Sequence, residues 1–168
     1  MWYVIWTLTG GERKAKEDIN KLINKDLYNT IFYPELVKQY RIKGQWIDKK
    51  VPMFPGYLFV ETQTIEEFDK QIKKISGFHK VLEQDKQYYP IENTDYELIN
   101  LAYQNKGVFD VSRGVIEGGK TRIITGPLKG LEGIVCKIDR HNRTATIEVN
   151  MFNNMTTVKV GLEIISKT

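Results

Sequence analysis

One cysteine, two histidines and three serines are all that this 168-residue chain offers to most familiar site chemistries. With Cys136 alone, no disulfide framework can form. Cys136 together with His79 and His141 is too small a set for a thiolate- or imidazole-rich zinc site, so no metal and no cofactor are expected. None of Ser76, Ser112 and Ser166 stands in a G-x-S-x-G elbow. With no triad and no nucleotide motif either, an enzyme is not expected, and the catalytic set is empty. No apolar run approaches the roughly 18 residues of a membrane span. The opening residues 1–6 lack the basic leader and small-residue cleavage site of a secretory signal. These absences lead to the expectation of a soluble, cytoplasmic, monomeric protein with no membrane partner.

What is present is apolar enough to fold: 41% of the residues are hydrophobic and 27% charged, a composition and length that suit one or two small domains. The net charge of +4 is unevenly spread. Residues 1–107 carry 16 basic against 15 acidic side chains, whereas residues 115–168 carry 8 against 5. A mildly basic tail attracts phosphates without being an extreme nucleic-acid clamp. A second basic stretch, Lys38, Arg41, Lys43, Lys49 and Lys50, is opposed only by Asp48. Solvated surface is the plainer reading of both stretches.

Periodicity divides the chain in two. Residues 2–7 read as a strand and Gly10-Gly11 breaks it. Residues 12–24 follow as a helix with Ala15, Ile19, Leu22 and Ile23 on one face. Residues 30–37 form a candidate strand interrupted by Pro34, and 38–50 a polar hairpin around Gly44. Pro55-Gly56 is turn chemistry in front of a dense strand signal at 57–60. Thr64 with Glu67, and Thr94 with Glu97, have capping-box spacing. They open helices that end near Gly77 and Gly107, with short strands at 78–83 and 87–91 between them. The first part, 1–107, is therefore expected to be an α/β domain: a central antiparallel or mixed sheet flanked by helices. Residues 108–114 read as a linker, too short to let two domains separate far. Beyond it the helical period vanishes. Strand candidates at 121–125, 131–138, 144–149, 156–160 and 162–165 make residues 115–168 a small all-β barrel. Cys136 falls inside this β-rich run and reads as a small buried hydrophobe.

Two motifs carry a resemblance. Residues 123–133, Ile-Ile-Thr-Gly-Pro-Leu-Lys-Gly-Leu-Glu-Gly, closely resemble the KOW motif of small SH3-like barrels. Trp2-Tyr3-Val4, and then Phe54-Pro55-Gly56-Tyr57-Leu58-Phe59-Val60, resemble the N-terminal (NGN) domain of the NusG family of transcription elongation factors. The motifs occur in family order, so the resemblance spans essentially the whole chain. The basic hairpin-like insertion and short linker look more like a specialised paralogue of the LoaP type. They fit the RfaH type, whose tail refolds as helices, less well, because 144–160 is rich in β-branched residues and asparagine.

The resemblance implies an elongation and antitermination factor that binds the clamp helices of the largest RNA polymerase subunits. Carried over by motif, Trp6, Phe54, Tyr57 and Phe59 match an apolar depression, Pro55 and Gly56 its wall, Val81 a further apolar position and Lys14 a basic position beside it. Simple core burial is the alternative for the rings. The barrel of this family meets a ribosomal protein, a termination factor or RNA. For nascent or structured leader RNA the candidates are Lys120, Arg122, Lys129, Lys137, Arg140, His141 and Arg143, and Phe152 is a candidate protein contact. The stretch Phe68-Asp69-Lys70 departs from the polar motif of RfaH-like members, and no role is carried onto it. A ribosome-associated RNA-binding protein using the barrel alone is the rival reading.

Overall fold

The computed structural model describes residues 1–77, 79–151 and 154–168, with the backbone alone at 93–95. In chain order the elements are β1 (Trp2–Thr7), α1 (Glu12–Leu22), β2 (Thr30–Phe32), β3 (Glu35–Ile42), β4 (Gln45–Pro52), β5 (Tyr57–Glu61), α2 (Ile65–Ile72), β6 (His79–Val81), β7 (Glu83–Gln84), β8 (Gln87–Tyr88), α3 (Asn93–Gln104), β9 (Val108–Phe109), β10 (Ser112–Glu117), β11 (Lys120–Thr125), β12 (Val135–Asp139), β13 (Thr144–Met151) and β14 (Asn154–Lys167). Two compact units emerge, Met1–Pro34 with Phe54–Tyr96, and Glu35–Met53 with Glu97–Thr168.

The first unit is built on an antiparallel sheet in the order β2-β5-β1-β6. Helices α1 and α2 cover one face. Ala15, Ile19, Ile23, Phe68, Ile72 and Ile75 pack there against Tyr3, Ile5, Leu58, Val60 and Val81. Leu22, expected on the buried face of α1, is exposed. The buried stripe is instead Glu12, Ala15, Ile19 and Ile23, which leaves Leu22 at its margin on the last turn. The Thr64 capping box does not form, since no side-chain cap bond is made at that helix start. Thr62 Oγ1 instead accepts from Thr64 N at 2.9 Å, and Thr64 Oγ1 donates to Leu27 O. Thr94 and Phe78, named in the second capping box and in a strand, lie outside the described side chains and residues, as does Phe152. The sheet's other face carries aromatic rings in sequence: Trp2 edge-on to Phe32 at 5.5 Å, Phe32 beside Phe59 at 5.8 Å, and Phe59 edge-on to Phe54 at 6.1 Å. Phe59 is wholly buried, so the centre of the sheet is dry on both faces.

In the second unit β3 and β4 form the expected hairpin, turning at Lys43 and Gly44 with left-handed φ at both, the geometry that suits the twist of a two-residue loop. β9 pairs in parallel with the start of β3, inside the stretch read as linker. The remaining strands form one sheet, β11-β10-β14-β13-β12, in which β10 and β14 are parallel. Alternation along β13 turns Ala145, Ile147, Val149 and Met151 inward. Three expectations change here. The strand at 131–138 begins with a 3-10 turn, Glu132–Ile134, because the Glu132 carboxylate accepts the Ile123 N–H at 3.1 Å and takes a place a ladder would fill. The strands at 156–160 and 162–165 are one, β14, running through Gly161. A Cβ at Gly161 would meet Val37 O at 2.9 Å, so this glycine permits close approach rather than breaking the strand. Cys136 is exposed on the edge strand β12, its thiol donating to Thr146 O.

Within the KOW-like loop the glycines differ. Gly126 has φ +97°, and a Cβ there would lie 2.5 Å from Ser112 Cα. That contact lets buried Ser112 accept the N–H of fully buried Leu128 at 3.0 Å. Gly133 has open space around it. Gly126→Ala should therefore cost more than about 2 kcal/mol of stability and Gly133→Ala almost nothing, as read by urea unfolding. Hydrogen bonds from its own backbone N–H and that of Ile123 hold the Glu132 carboxyl below its ordinary value of 4.5. A depressed folded value means stability that is present at neutral pH and lost as pH falls through it. The unfolding midpoint should drop more between about pH 6 and pH 3 in the native chain than in Glu132→Gln.

Candidate functional site

The first unit's exposed aromatic edge begins with one buried carboxylate. Glu12 opens α1, yet its side chain turns inward and is 2% exposed. Its Oε1 accepts the N–H of Gly56 at 2.6 Å and that of Gly10 at 3.2 Å. Gly56 O in turn accepts from Thr7 N at 2.8 Å, and Phe54 O from Tyr57 N at 3.1 Å. The Phe54–Tyr57 turn is thereby tied to both the end of β1 and the start of α1. A carboxylate left in this place without donors would be costly, and its two amides make it tenable.

The tether decides what faces outward. Trp6 and Tyr57 are Cα partners at the end of the β1–β5 ladder, on the same face of the sheet, and both are half-exposed. Pro55 is exposed at the turn, Gly56 buried beneath it. Phe54 and Phe59, offered as depression residues, are core: their rings pack on each other behind the pair. Val81 pairs with Ile5 on the helix-covered face, opposite to Trp6 and Tyr57, and is not brought to them. Lys14 stands exposed on α1, ion-paired with Asp18. In α2, Phe68 is core. Buried Asp69 pairs with Lys73 and accepts from the Tyr88 hydroxyl at 2.6 Å. These hydrogen bonds raise the Tyr88 phenol and the Lys73 ammonium above their ordinary values.

In the second unit the RNA candidates separate by their partners. Lys120, Lys129, Lys137, Arg140 and His141 are exposed. Arg122 is paired with Glu117 at 3.5 Å. Arg143 turns inward. Its guanidinium lies 4.3 Å from the centre of the Trp46 ring, donates to Gln39 Oε1 at 3.2 Å and pairs with Glu163 at 3.0 Å. This is an internal fastening of the β3–β4 hairpin, and the guanidinium is already spent on it. At the tip, Asp139 accepts from both the backbone and the side chain of Asn142, an Asx turn that fixes the loop.

Sequence reasoning missed Glu12, Trp46, Gln39 and Glu163. Glu12 had a signal: it falls in the helical stripe of Ala15, Ile19 and Ile23, where an acid needs a buried donor. Among the described residues no group of histidine, cysteine, aspartate and glutamate could hold a metal ion, and no helix is long and apolar enough to cross a membrane.

A helix-backed antiparallel sheet with a half-exposed aromatic pair beside a tethered Pro-Gly turn, and a second, β-rich unit, make this a two-part protein, α/β in one part and β-rich in the other. The family model described as "Transcription termination factor nusG" matches residues 1–100. The chain belongs to the NusG family of transcription termination/antitermination factors. It is similar to the transcription termination/antitermination protein NusG of Borreliella burgdorferi, 25% identical over 99% of this chain and 97% of that one. The same holds for NusG of Streptococcus pyogenes serotype M3, 28% identical over 96% and 92%. A solved structure, "Domain interaction in Thermotoga maritima NusG", shares the fold with TM-score 0.58 at 22% identity, over 95% of this chain and 92% of that one.

Glu12→Ala should lower stability by about 2 kcal/mol, since the buried Gly56 amide and the part-buried Gly10 amide lose their acceptor, whereas Glu12→Gln, which keeps an oxygen there, should lose less than half as much. Urea unfolding measures the loss, and the Gly56 amide resonance should move in both.

Proposed function

We propose that this protein is a transcription elongation and antitermination factor that grips the clamp helices of RNA polymerase through the Trp6–Tyr57 edge of its first unit. The observation that carries this is the half-exposed aromatic pair held beside the Glu12-tethered turn, in a chain of the NusG family. Rigid amphipathic rings at an otherwise well-packed edge are the usual anchors of protein interfaces. Phe54, Gly56 and Phe59 shape the edge from behind, Pro55 forms its rim, and Lys14 on α1 supplies an accessible cation. Val81 acts only through the core. No bond is made or broken. The factor binds the processive, clamp-closed polymerase better than the paused one, and a preference of ~1.4 kcal/mol shifts their ratio about tenfold.

The second unit contacts structured leader RNA. Lys120, Lys129, Lys137, Arg140 and His141 are exposed for phosphates, and Arg122 contributes when its weak pairing with Glu117 opens. Arg143 holds the unit together. The hairpin and its fastening are what favour a specialised family member of the LoaP type.

Tyr57→Asp should weaken binding to core RNA polymerase at least about tenfold, while Tyr89→Asp, on another exposed ring, leaves it unchanged. Biolayer interferometry reads both, with thermal melts to show that the fold survives. Undiminished binding by Tyr57→Asp is what the rival ribosome-associated protein predicts, and it would refute the polymerase reading.

A further inference from the structure

The cations of the second unit fall into two sets. Arg113 and Arg143 share the Glu163 carboxylate, and Arg122 is paired with Glu117. Lys38 and Arg41 of β3, Lys49 of β4 and Lys159 of β14 have no ion-pair partner among the described residues, and all four line one groove of about 610 Å³. Lys38 and Lys49 stand directly opposite each other across the hairpin, a like-charge arrangement that disfavours the pairing. The carboxylate in the lining, Asp139, is engaged by Asn142. Lysines along one edge strand can blunt strand-to-strand aggregation, but here cations from three strands converge on one cavity.

The groove is also preformed. The Arg143 stack on Trp46, with its bonds to Gln39 and Glu163, fixes the hairpin wall against the five-stranded sheet, so an incoming anion need not order it. Its aromatic faces are taken: Arg143 covers Trp46, and Lys49 lies 5.6 Å over the Tyr40 ring. Tyr40 and Ile42 remain 40% exposed in the lining, but they stand among four cations rather than in an apolar pocket of the kind that seats a protein anchor. Spaced positive charges on two walls instead match a row of phosphates.

We propose that this groove binds the phosphate backbone of a structured RNA stem, with the β3–β4 hairpin supplying contacts that the 140–143 turn alone cannot. This rests on the RNA reading given above and adds a surface to it.

The test uses the full chain and a fluorescent RNA stem–loop of about 16 base pairs, with a DNA duplex of the same sequence and a polyglutamate peptide as parallel ligands. Anisotropy is followed across a salt series. The variant Lys38→Gln/Arg41→Gln/Lys49→Gln should lose at least about tenfold in RNA affinity at moderate salt, with a slope of log affinity against log salt shallower by about two. Lys159→Gln, on another strand, should lose affinity independently, which keeps the test decisive if the triple variant folds poorly. Lys120→Gln/Lys129→Gln should change less than either. If the groove variants bind as the native chain does while Lys120→Gln/Lys129→Gln loses affinity, the groove assignment fails and the RNA reading stands. If the native chain binds no RNA, both fall. Tighter binding of DNA or of polyglutamate than of the RNA stem, lost in the groove variants, would assign the groove to that ligand and overturn the proposal.

Discussion

The first unit's half-exposed aromatic edge depends on a carboxylate that is almost wholly buried. Glu12 draws the amides of Gly10 and Gly56 onto one oxygen, joining the loop after β1 to the turn before β5. The Gly56 bond is buried and the Gly10 bond only part-buried, so losing the first strands a polar group at a cost of about 1–3 kcal/mol. The same bonds determine direction. They set where the chain re-enters the sheet at Tyr57, and hence which ring stands opposite Trp6. A charge that would destabilise a core without partners here positions an outward-facing pair.

The second unit uses charge differently. Arg143 is desolvated on Trp46 and bonded to Gln39 and Glu163, so its energy goes into holding the hairpin. Lys38, Arg41, Lys49 and Lys159 have no ion-pair partner among the described residues, and of the four Lys49 stands over a ring, that of Tyr40. Planar guanidinium suits the first task, where stacking and forked donors matter. Hydrated ammonium on a flexible stem suits most of the second set, whose charge stays open to solvent. Read as sequence, Arg140-His141-Asn142-Arg143 was a single basic cluster; in three dimensions its last member belongs to the interior.

Much of this was legible in the residues. The strand at 2–7, the first helix, the hairpin around Gly44, the Pro55-Gly56 turn and the switch from helical to strand period all correspond to elements. The family could be read from two motifs in order. The failures share a cause: each turned on a tertiary partner. Leu22 lost its place in the stripe to Glu12, which is tenable there only because Gly56 donates to it. Gly161 looked like a break because nothing local announces the close approach of Val37 O. The stretch 108–114 was read as linker, and its last residues, Ser112 to Gly114, begin β10, which its ladder partners β11 and β14 hold in the sheet. Phe54 and Phe59 could not be told from surface rings by alternation, because that pattern identifies a face and not what covers it.

Burial on both faces of the first sheet has a consequence for where binding can occur. Phe59, Val4 and Leu58 are buried, so the middle of the β1–β5 ladder has nothing left to offer a partner. Along the described β1–β5 ladder, part-exposed aromatic area stands at its end, at the Trp6–Tyr57 pair, where the backbone turns. The dry centre backs that last pair with packed rings, and a surface supported in this way lowers the ordering cost that an interface must overcome. Burial at the centre of the sheet and exposure at its end thus follow from one packing pattern, and a substitution that loosens Phe59 would be felt at Tyr57 two residues away along the same face.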